Sequence, residues 1–326
     1  MSDQKRAFIT GLGGQDGSYL AEYLHSLGYK VYGLVRYSTT RGTSDNLKYL
    51  PDDIEIIEGD LTDQMAINRI IRTVKPHEVY NLAAQSHVGK SFEYPQFTAD
   101  VTAMGVIHLL EAIKEAPFHS KFYQASTSEL FGNAEESPQE ESTPFHPRSP
   151  YAVSKLFAHQ MVRVYRESYN MFACSGILFN HESPRRGDNF VTQKVCKAAV
   201  NIALGNQDSL ELGNLDARRD WGHAKDYVRG MHAILQHHVP DDYVLATGKS
   251  YSIRDLLDAA FSHPRVKLNP DDYVRVNPKF FRPAEVHTLR GDASKAANAL
   301  GWKPRITFEQ MIHEMIDAQF AKQELK

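Results

Sequence analysis

The sequence predicts an α/β protein organised on a doubly wound parallel sheet, and three observations carry that prediction. A short apolar run, Ala7 to Thr10, leads straight into glycines at three-residue spacing, Gly11, Gly14 and Gly17. From Tyr19 onward the apolar positions Leu20, Tyr23, Leu24 and Leu27 take up helical spacing. Short β-branched runs then alternate with helical segments through the first half of the 326-residue chain. That order places parallel strands in one sheet with helices on both faces. Strand, glycine turn and helix start make the opening of a dinucleotide-binding unit, in which a pyrophosphate approaches the backbone at a helix N-terminus.

Composition narrows the rest. With 42% hydrophobic and 24% charged residues the chain is an ordinary globular one, and a formal net charge of −3 provides no basic field for nucleic acid or an anionic membrane. No apolar run approaches the ~20 residues that span a bilayer, and the first strand begins too early to leave room for a signal peptide. Cys174 and Cys196 are the two cysteines. They show no metal-type spacing and read as reduced, partly buried thiols, which fits a cytoplasmic protein without a metal.

Lys30 to Arg36 is the second strand. An acidic residue at its end would hold ribose hydroxyls. Arg36 instead offers a planar cation to a 2′-phosphate, which points to NADP. A polar loop, Tyr37 to Asn46, follows. The third strand is Ile54 to Ile57, and Asp60 and Leu61 stand just past it, where an Asp can reach an adenine; Asp63 could equally cap the helix Gln64 to Val74. The fourth strand, Glu78 to Leu82, runs into Ala83, Ala84, Gln85 and Ser86, small residues that let a cofactor approach the backbone. A helix at Gly105 to Lys114 and a strand at Lys121 to Ala125 complete the regular part.

Past Tyr169 the pattern loosens. Cys174 to Phe179 reads as a strand, Asn189 to Leu204 as a helix, and 205–226 as a stretch rich in Gly, Asn, Asp and Arg. A strand at Tyr243 to Thr247, a helix at Ser252 to Phe261, a proline-bearing loop at 264–283 and a helix at Phe308 to Glu324 close the chain. Residues 1–170 are expected to form the cofactor-binding domain, with later segments returning to it. Residues 171–326 form a smaller, interleaved α/β region that is mainly substrate-binding.

Ser149 and Pro150 suit an N-cap and first turn, so Tyr151 and Lys155, four apart, share one helix face. A free tyrosine, with a pKa near 10, is a poor base. A neighbouring ammonium and the positive charge of an oxidised nicotinamide would favour its phenolate. A Tyr-x-x-x-Lys pair says little alone in a chain with 16 tyrosines; its place at a helix start after the fifth strand gives it weight. Thr127 and Glu129 end that strand and, in extended chain, face the same side. Glu129 is either an exposed loop acid or a carboxyl placed to shuttle a proton.

The spacing of Gly11, Gly14 and Gly17, together with Tyr151 and Lys155, resembles the extended branch of the short-chain dehydrogenase/reductase superfamily, a Rossmann-type fold. Longer blocks are similar to the GDP-mannose 4,6-dehydratases almost end to end: Phe122 to Gly132, Thr143 to Tyr151, Gly176 to Gly187, Leu212 to Gly222 and Arg282 to Val286. Gly13 stands where that family usually has Thr, and the segment before Arg282 is short. The resemblance implies Thr127, Glu129, Tyr151 and Lys155 as the catalytic set. It implies an NADP site formed by Gly11, Gly14, Gln15, Asp16 and Gly17, by Arg36, Asp60 and Leu61, and by Leu82, Ala84, Gln85 and Ser86, completed by Tyr151, Lys155, His181 and Arg186. A GDP-linked sugar would be held by Ser86, Asn180, Lys194, Arg219, Arg282 and Glu285. A homo-oligomer, dimer or tetramer, is also implied, with the Tyr37 to Asn46 loop a candidate interface. A GDP-manno-heptose dehydratase, an epimerase or reductase of the same fold, and a non-catalytic NADP-binding regulator remain as alternatives.

Overall fold

The computed structural model describes residues 4–36, 45–281 and 286–324. Its strands in chain order are β1 (Arg6–Thr10), β2 (Lys30–Val35), β3 (Glu55–Glu58), β4 (Glu78–Asn81), β5 (Lys121–Ala125), β6 (Ala173–Leu178), β7 (Asn180–Glu182), β8 (Leu210–Leu212), β9 (Arg218–Arg219), β10 (Trp221–His223), β11 (Tyr243–Leu245), β12 (Tyr251–Ser252) and β13 (Val274–Val276). Seven of them form one sheet in the order β11-β6-β5-β4-β1-β2-β3, and every pairing in it is parallel. The chain winds outward from β1 to β3, then crosses to β4 and winds the other way. The strand order therefore reverses between β1 and β4, and a crevice opens there at the C-terminal strand ends.

The helices are α1 (Gln15–Ser26), α2 (Gln64–Val74), α3 (Val88–Glu93), α4 (Pro95–Ala99), α5 (Gly105–Lys114), α6 (Pro150–Tyr169), α7 (Val191–Ala203), α8 (Ala224–Gln236), α9 (Ile253–Phe261), α10 (Pro270–Tyr273), α11 (Ser294–Leu300) and α12 (Phe308–Glu324). Alternation along the strands sorts them onto two faces. Ile9, Tyr80 and Tyr123 pack with Leu20 and Leu24 of α1 and Met231 and Ile234 of α8. Phe8, Val79 and Phe122 pack on the other side with Ile67 and Ile70 of α2, Leu109 of α5 and Val162 of α6. A further core joins α7, α9 and α12 through Val195, Leu256, Phe261, Met311 and Ile316.

Helices at 64–74, 105–114 and 308–324 and the strand at 121–125 lie where the sequence places them. Several elements go beyond that reading, α8, α11, α10 and β13 among them. α8 goes unread in the sequence because its first residues belong to the stretch rich in Gly and Asp, although Tyr227, Val228, Met231, Ile234 and Leu235 carry helical spacing. α11 is only seven residues long, too short to declare a period. The expected loop at 264–283 holds α10 and β13, the latter parallel to β8, because three-residue strands show no alternation. β6, β11 and α8 return to the main sheet from the second half of the chain. Of the polar loop at 37–46, residues 37–44 lie outside the described residues. Asn46 is described, and its Nδ2 donates to the carbonyls of Gly13 and Arg185 at 3.3 and 3.1 Å. Both cysteines are free thiols and fully buried. Among the described residues no helix is long and apolar enough to cross a membrane.

Candidate active site

The glycine turn is shaped by close approach. Gly11 has φ +72, and a Cβ on it would lie 3.0 Å from the Ala83 nitrogen; a Cβ on Gly17 would stand 2.2 Å from the Gly11 carbonyl oxygen. α1 therefore seats directly on the turn, with Gly14 as its N-cap. Gln15 is buried and ties the turn to β7: its Nε2 donates to the His181 carbonyl at 3.0 Å, and Ser183 Oγ donates to its Oε1 at 2.8 Å. Asp16 Oδ2 lies 2.7 Å from His181 Nε2, while His181 Nδ1 reaches the Phe179 carbonyl at 2.7 Å and its ring stacks on Tyr227. Burial alone would raise the Asp16 pKa and lower that of His181. Their mutual attraction and hydrogen bond outweigh it, so Asp16 is lowered and His181 raised.

The residues expected around the cofactor's other end lie beside the strand termini. Arg36 follows β2 directly and is exposed. Asp60 follows β3, its Oδ1 accepting from the Thr62 amide at 2.9 Å and from the Thr62 hydroxyl at 2.8 Å. The Leu61 side chain is in the core, and its carbonyl lies 2.6 Å from His108 Nδ1. Asp63 takes the cap role, accepting from the Ala66 amide at 2.9 Å. Leu82, Ala84 and Ser86 line the cleft. Gln85 turns into its own loop, accepting from the His87 amide at 2.6 Å and donating to Thr98 Oγ1 at 3.3 Å.

A cleft of about 880 Å³ sits at these strand ends and gathers Thr127, Glu129, Tyr151 and Lys155 in its wall. Ser149 caps α6 by accepting from the Ala152 amide at 3.1 Å, with Pro150 in the first turn, as the sequence indicates. Lys155 is one turn beyond Tyr151 and donates from Nζ to the Ala125 carbonyl at 2.8 Å. One expectation needs correction. Ser128–Leu130 is a 3₁₀ turn and not extended chain; Thr127 is its N-cap, with Oγ1 accepting from the Glu129 amide at 3.3 Å. The turn still brings both side chains to the cleft, and Glu129 is only 8% exposed, so it is not a loop acid in solvent. Without a bound cofactor, burial opposes the charged forms of both groups. Burial pushes Tyr151 up to about 12 against a hydrogen bond from Thr127, and brings Lys155 down to about 8.

On the opposite wall, Asn180 Oδ1 is buried without a hydrogen-bond partner among the described residues. Lys194 Nζ donates to the Glu211 carbonyl at 2.6 Å and stands 4.2 Å over the Phe280 ring; burial lowers its pKa. Arg219 Nη1 donates to the Val286 carbonyl at 2.8 Å. Arg186 Nε meets Glu182 Oε2 at 2.9 Å, and its guanidinium lies 3.5 Å from the Phe190 ring centroid. Phe190 and Phe280 are cleft residues that spacing and residue type did not reveal. Arg282 and Glu285 lie outside the described residues.

A parallel sheet wound in this order, with Tyr151 and Lys155 one helical turn apart beside the crevice, defines the extended short-chain dehydrogenase/reductase class. Within that class, the family model described as GDP-mannose 4,6 dehydratase matches residues 8–315, and the chain belongs to that family. It is 49% identical to the GDP-mannose 4,6-dehydratase of Yersinia enterocolitica, covering 98% of this chain and 95% of that one. It is 47% identical to the Homo sapiens GDP-mannose 4,6 dehydratase, covering 96% and 90%. Among solved structures, RMD of Pseudomonas aeruginosa complexed with NADPH superposes with a TM-score of 0.81 at 25% identity, covering 98% of this chain and 100% of the other.

Proposed function

We propose that the protein is an NADP-dependent lyase that converts GDP-mannose to GDP-4-keto-6-deoxymannose by loss of water. The observation that carries this reading is Glu129, a carboxyl held in the same cleft as Thr127, Tyr151 and Lys155. Oxidation at C4 needs the tyrosine and lysine; removal of water from C5 and C6 needs a further acid–base group, which an epimerase, a reductase or a silent regulator does not. Relatives named GDP-mannose 4,6-dehydratase at 47–49% identity support the same assignment.

The residues present fit a dinucleotide. Gly11 and Gly17 leave no room for a Cβ in the turn, and α1 opens at the C-terminal end of β1, where a helix N-terminus favours an anion. In this reading residues 1–170 carry most of that site, with His181 and Arg186 added from the second half. Arg36 supplies the cation that favours a 2′-phosphate, and the neighbour solved with NADPH is consistent with it. NADP held by the Gly11–Gly17 turn, Arg36, His181 and Arg186 would supply the hydride acceptor and donor for the reaction and a positive charge that favours the phenolate. Tyr151 Oη removes the C4 hydroxyl proton, with Thr127 Oγ1 orienting that hydroxyl group and Lys155 favouring the phenolate. The 4-ketone so formed acidifies C5. Glu129 takes the C5 proton and delivers it to the departing C6 oxygen, which leaves as water; saturation of the C5–C6 bond then returns a solvent-derived proton to C5, and Tyr151 releases its proton to solvent. Residues 171–326 hold most of the nucleotide sugar, with Lys194, Arg219 and Arg282 on the diphosphate, Glu285 on the guanine edge and Asn180 on the sugar, which Ser86 of the first half also contacts. A homo-oligomer is part of the reading, supported by the exposed apolar stripe Val153, Phe157 and Val164 along α6.

Incubation of the protein with GDP-mannose and NADP, followed by mass spectrometry, tests the assignment. The expected product has lost one water. Unchanged GDP-mannose, or UDP competing as well as GDP for the site, overturns it.

A further inference from the structure

A line of buried polar side chains crosses the C-terminal edge of the sheet, and the chemistry above makes no use of it. Thr10, Asn81 and Gln124 are register neighbours on β1, β4 and β5. Thr10 Oγ1 donates to Asn81 Oδ1 at 2.6 Å, Asn81 Nδ2 donates to Gln124 Oε1 at 2.8 Å, and Gln124 Nε2 donates to the Ala125 carbonyl at 2.9 Å. The same carbonyl accepts from Lys155 Nζ. At the far end Thr10 Oγ1 accepts from the amides of Leu82 and Ala83 at 3.2 and 3.1 Å. Thr10, Asn81 and Gln124 are each 1% exposed or less.

Asparagine and glutamine are depleted in strands, and a buried amide is tolerated only when its donors and acceptors are met. Here each bond runs head to tail in one direction, so every amide has a single orientation that satisfies the chain. Apolar residues at these positions would pack the sheet as Phe8, Val79 and Phe122 do nearby, so packing alone does not account for the line. Its two ends are distinctive. One holds the backbone at Leu82, a cleft residue; the other holds the carbonyl that receives the Lys155 ammonium. Ala125 is the last residue of β5, and the chain turns away into the Thr127 cap directly after it, leaving that carbonyl at the end of the strand.

We propose that Gln124, oriented by Asn81, is a positioning residue for Lys155: it fixes the Ala125 carbonyl and thereby the direction from which the ammonium faces Tyr151. This rests on the assignment of Tyr151 and Lys155 made above. Tyr151 from its own helix and Asp16 from α1, itself paired with His181, are the other titratable groups that face Lys155.

Gln124→Met keeps length and removes the donor, and Gln124→Glu provides the second arm. A protonated glutamic acid can accept from Asn81 and donate to Ala125 as the amide does, and it loses the donor when it ionises. In Gln124→Met, kcat is expected to fall by about tenfold to a hundredfold, the range of one hydrogen bond in a charged network. KM for GDP-mannose and the NADP Kd should stay within about threefold, and the alkaline limb of the kcat profile, set by loss of the ammonium, should move to lower pH. In Gln124→Glu, kcat relative to wild type should be highest at acid pH and drop as the new carboxyl titrates. Wild-type kcat and pH profile in a folded Gln124→Met overturn the proposal. So does an equal decline of kcat, affinity and stability with no movement of the limb. If Gln124→Met does not fold, a pH-independent kcat ratio in Gln124→Glu overturns it instead. Full activity in Lys155→Met sinks the assignment of Lys155, a result separate from any of these.

Discussion

Lys155 Nζ stands 5.9 Å from the centroid of the Tyr151 ring and gives a hydrogen bond to the carbonyl of Ala125. Both groups lie where burial opposes their charged forms, Tyr151 at about 12 and Lys155 at about 8. The lysine therefore holds fewer protons in the folded chain than in the unfolded one between about 8 and its ordinary 10.5. Stability must rise with pH across that window, and below it the ammonium is a burden of about 3 kcal/mol, offset in part by its hydrogen bond. Lys155→Met should be at least as stable as wild type at pH 7 by urea midpoint, and its stability should be flatter between pH 8 and 10. Its kcat should fall by ~10² or more, as expected for a lost acid–base partner. A variant clearly less stable at pH 7 would contradict the cost of burying the ammonium, whatever its kcat.

Arg36 carries the prediction on cofactor choice. It directly follows β2 and is exposed, so the fold places no demand on it. Arg36→Ala should weaken NADP binding by about tenfold to a hundredfold, the scale of a charge-assisted hydrogen bond, and leave NAD binding almost unchanged. Titration calorimetry with both cofactors checks this; equal wild-type affinity for the two contradicts it.

The Asp16–His181 pair makes a prediction about stability alone. His181 is raised, so its contribution is complete below the ordinary histidine value of 6.5 and is lost as pH rises through the folded value. Asp16 is lowered, so its contribution is complete above the ordinary aspartate value of 3.8 and is lost as pH falls through the folded value. The window common to both is pH 3.8 to 6.5. Asp16→Asn should lose on the order of 3 kcal/mol there, because a buried partner is left charged, and less at pH 8 and above. Urea midpoints across pH decide it; a loss that grows above pH 7 would contradict the pairing.

What the sequence made legible follows from range. Gln64 to Val74 could be bounded because its cap, Asp63, and its apolar positions Ile67, Ile70, Ile71 and Val74 are all local. Ser149, Pro150, Tyr151 and Lys155 were legible for the same reason. Thr127 and Glu129 were placed in the right cleft with the wrong backbone, since two-residue arithmetic assumes extended chain and a Thr cap tightened it into a 3₁₀ turn. Gln85 and Leu61 illustrate a further limit: position after a strand puts a residue beside a ligand site, but tertiary packing decides whether its side chain points outward. The bond from Asn81 to Gln124 spans 43 residues, so nothing short of the sheet register could bring them together.

In the proposed reaction Glu129 is the residue on which the dehydration turns. It follows Thr127 in a tight turn, is 8% exposed, and shares its cleft with Tyr151 and Lys155. In that proposal the tyrosine and lysine serve the oxidation at C4, and moving a proton from C5 to the C6 oxygen needs a group that can both accept and donate. Glu129→Gln keeps the shape and the turn but cannot accept a proton. Product formation should fall by ~10²–10⁴, the usual range for a lost acid–base group. Oxidation at C4 should survive, visible as reduced-cofactor absorbance on adding GDP-mannose without release of dehydrated sugar. In deuterated water, incorporation at C5 should fall together with product. Near wild-type formation of the dehydrated sugar by Glu129→Gln would mean that another base removes the C5 proton, and the assignment of Glu129 would be wrong.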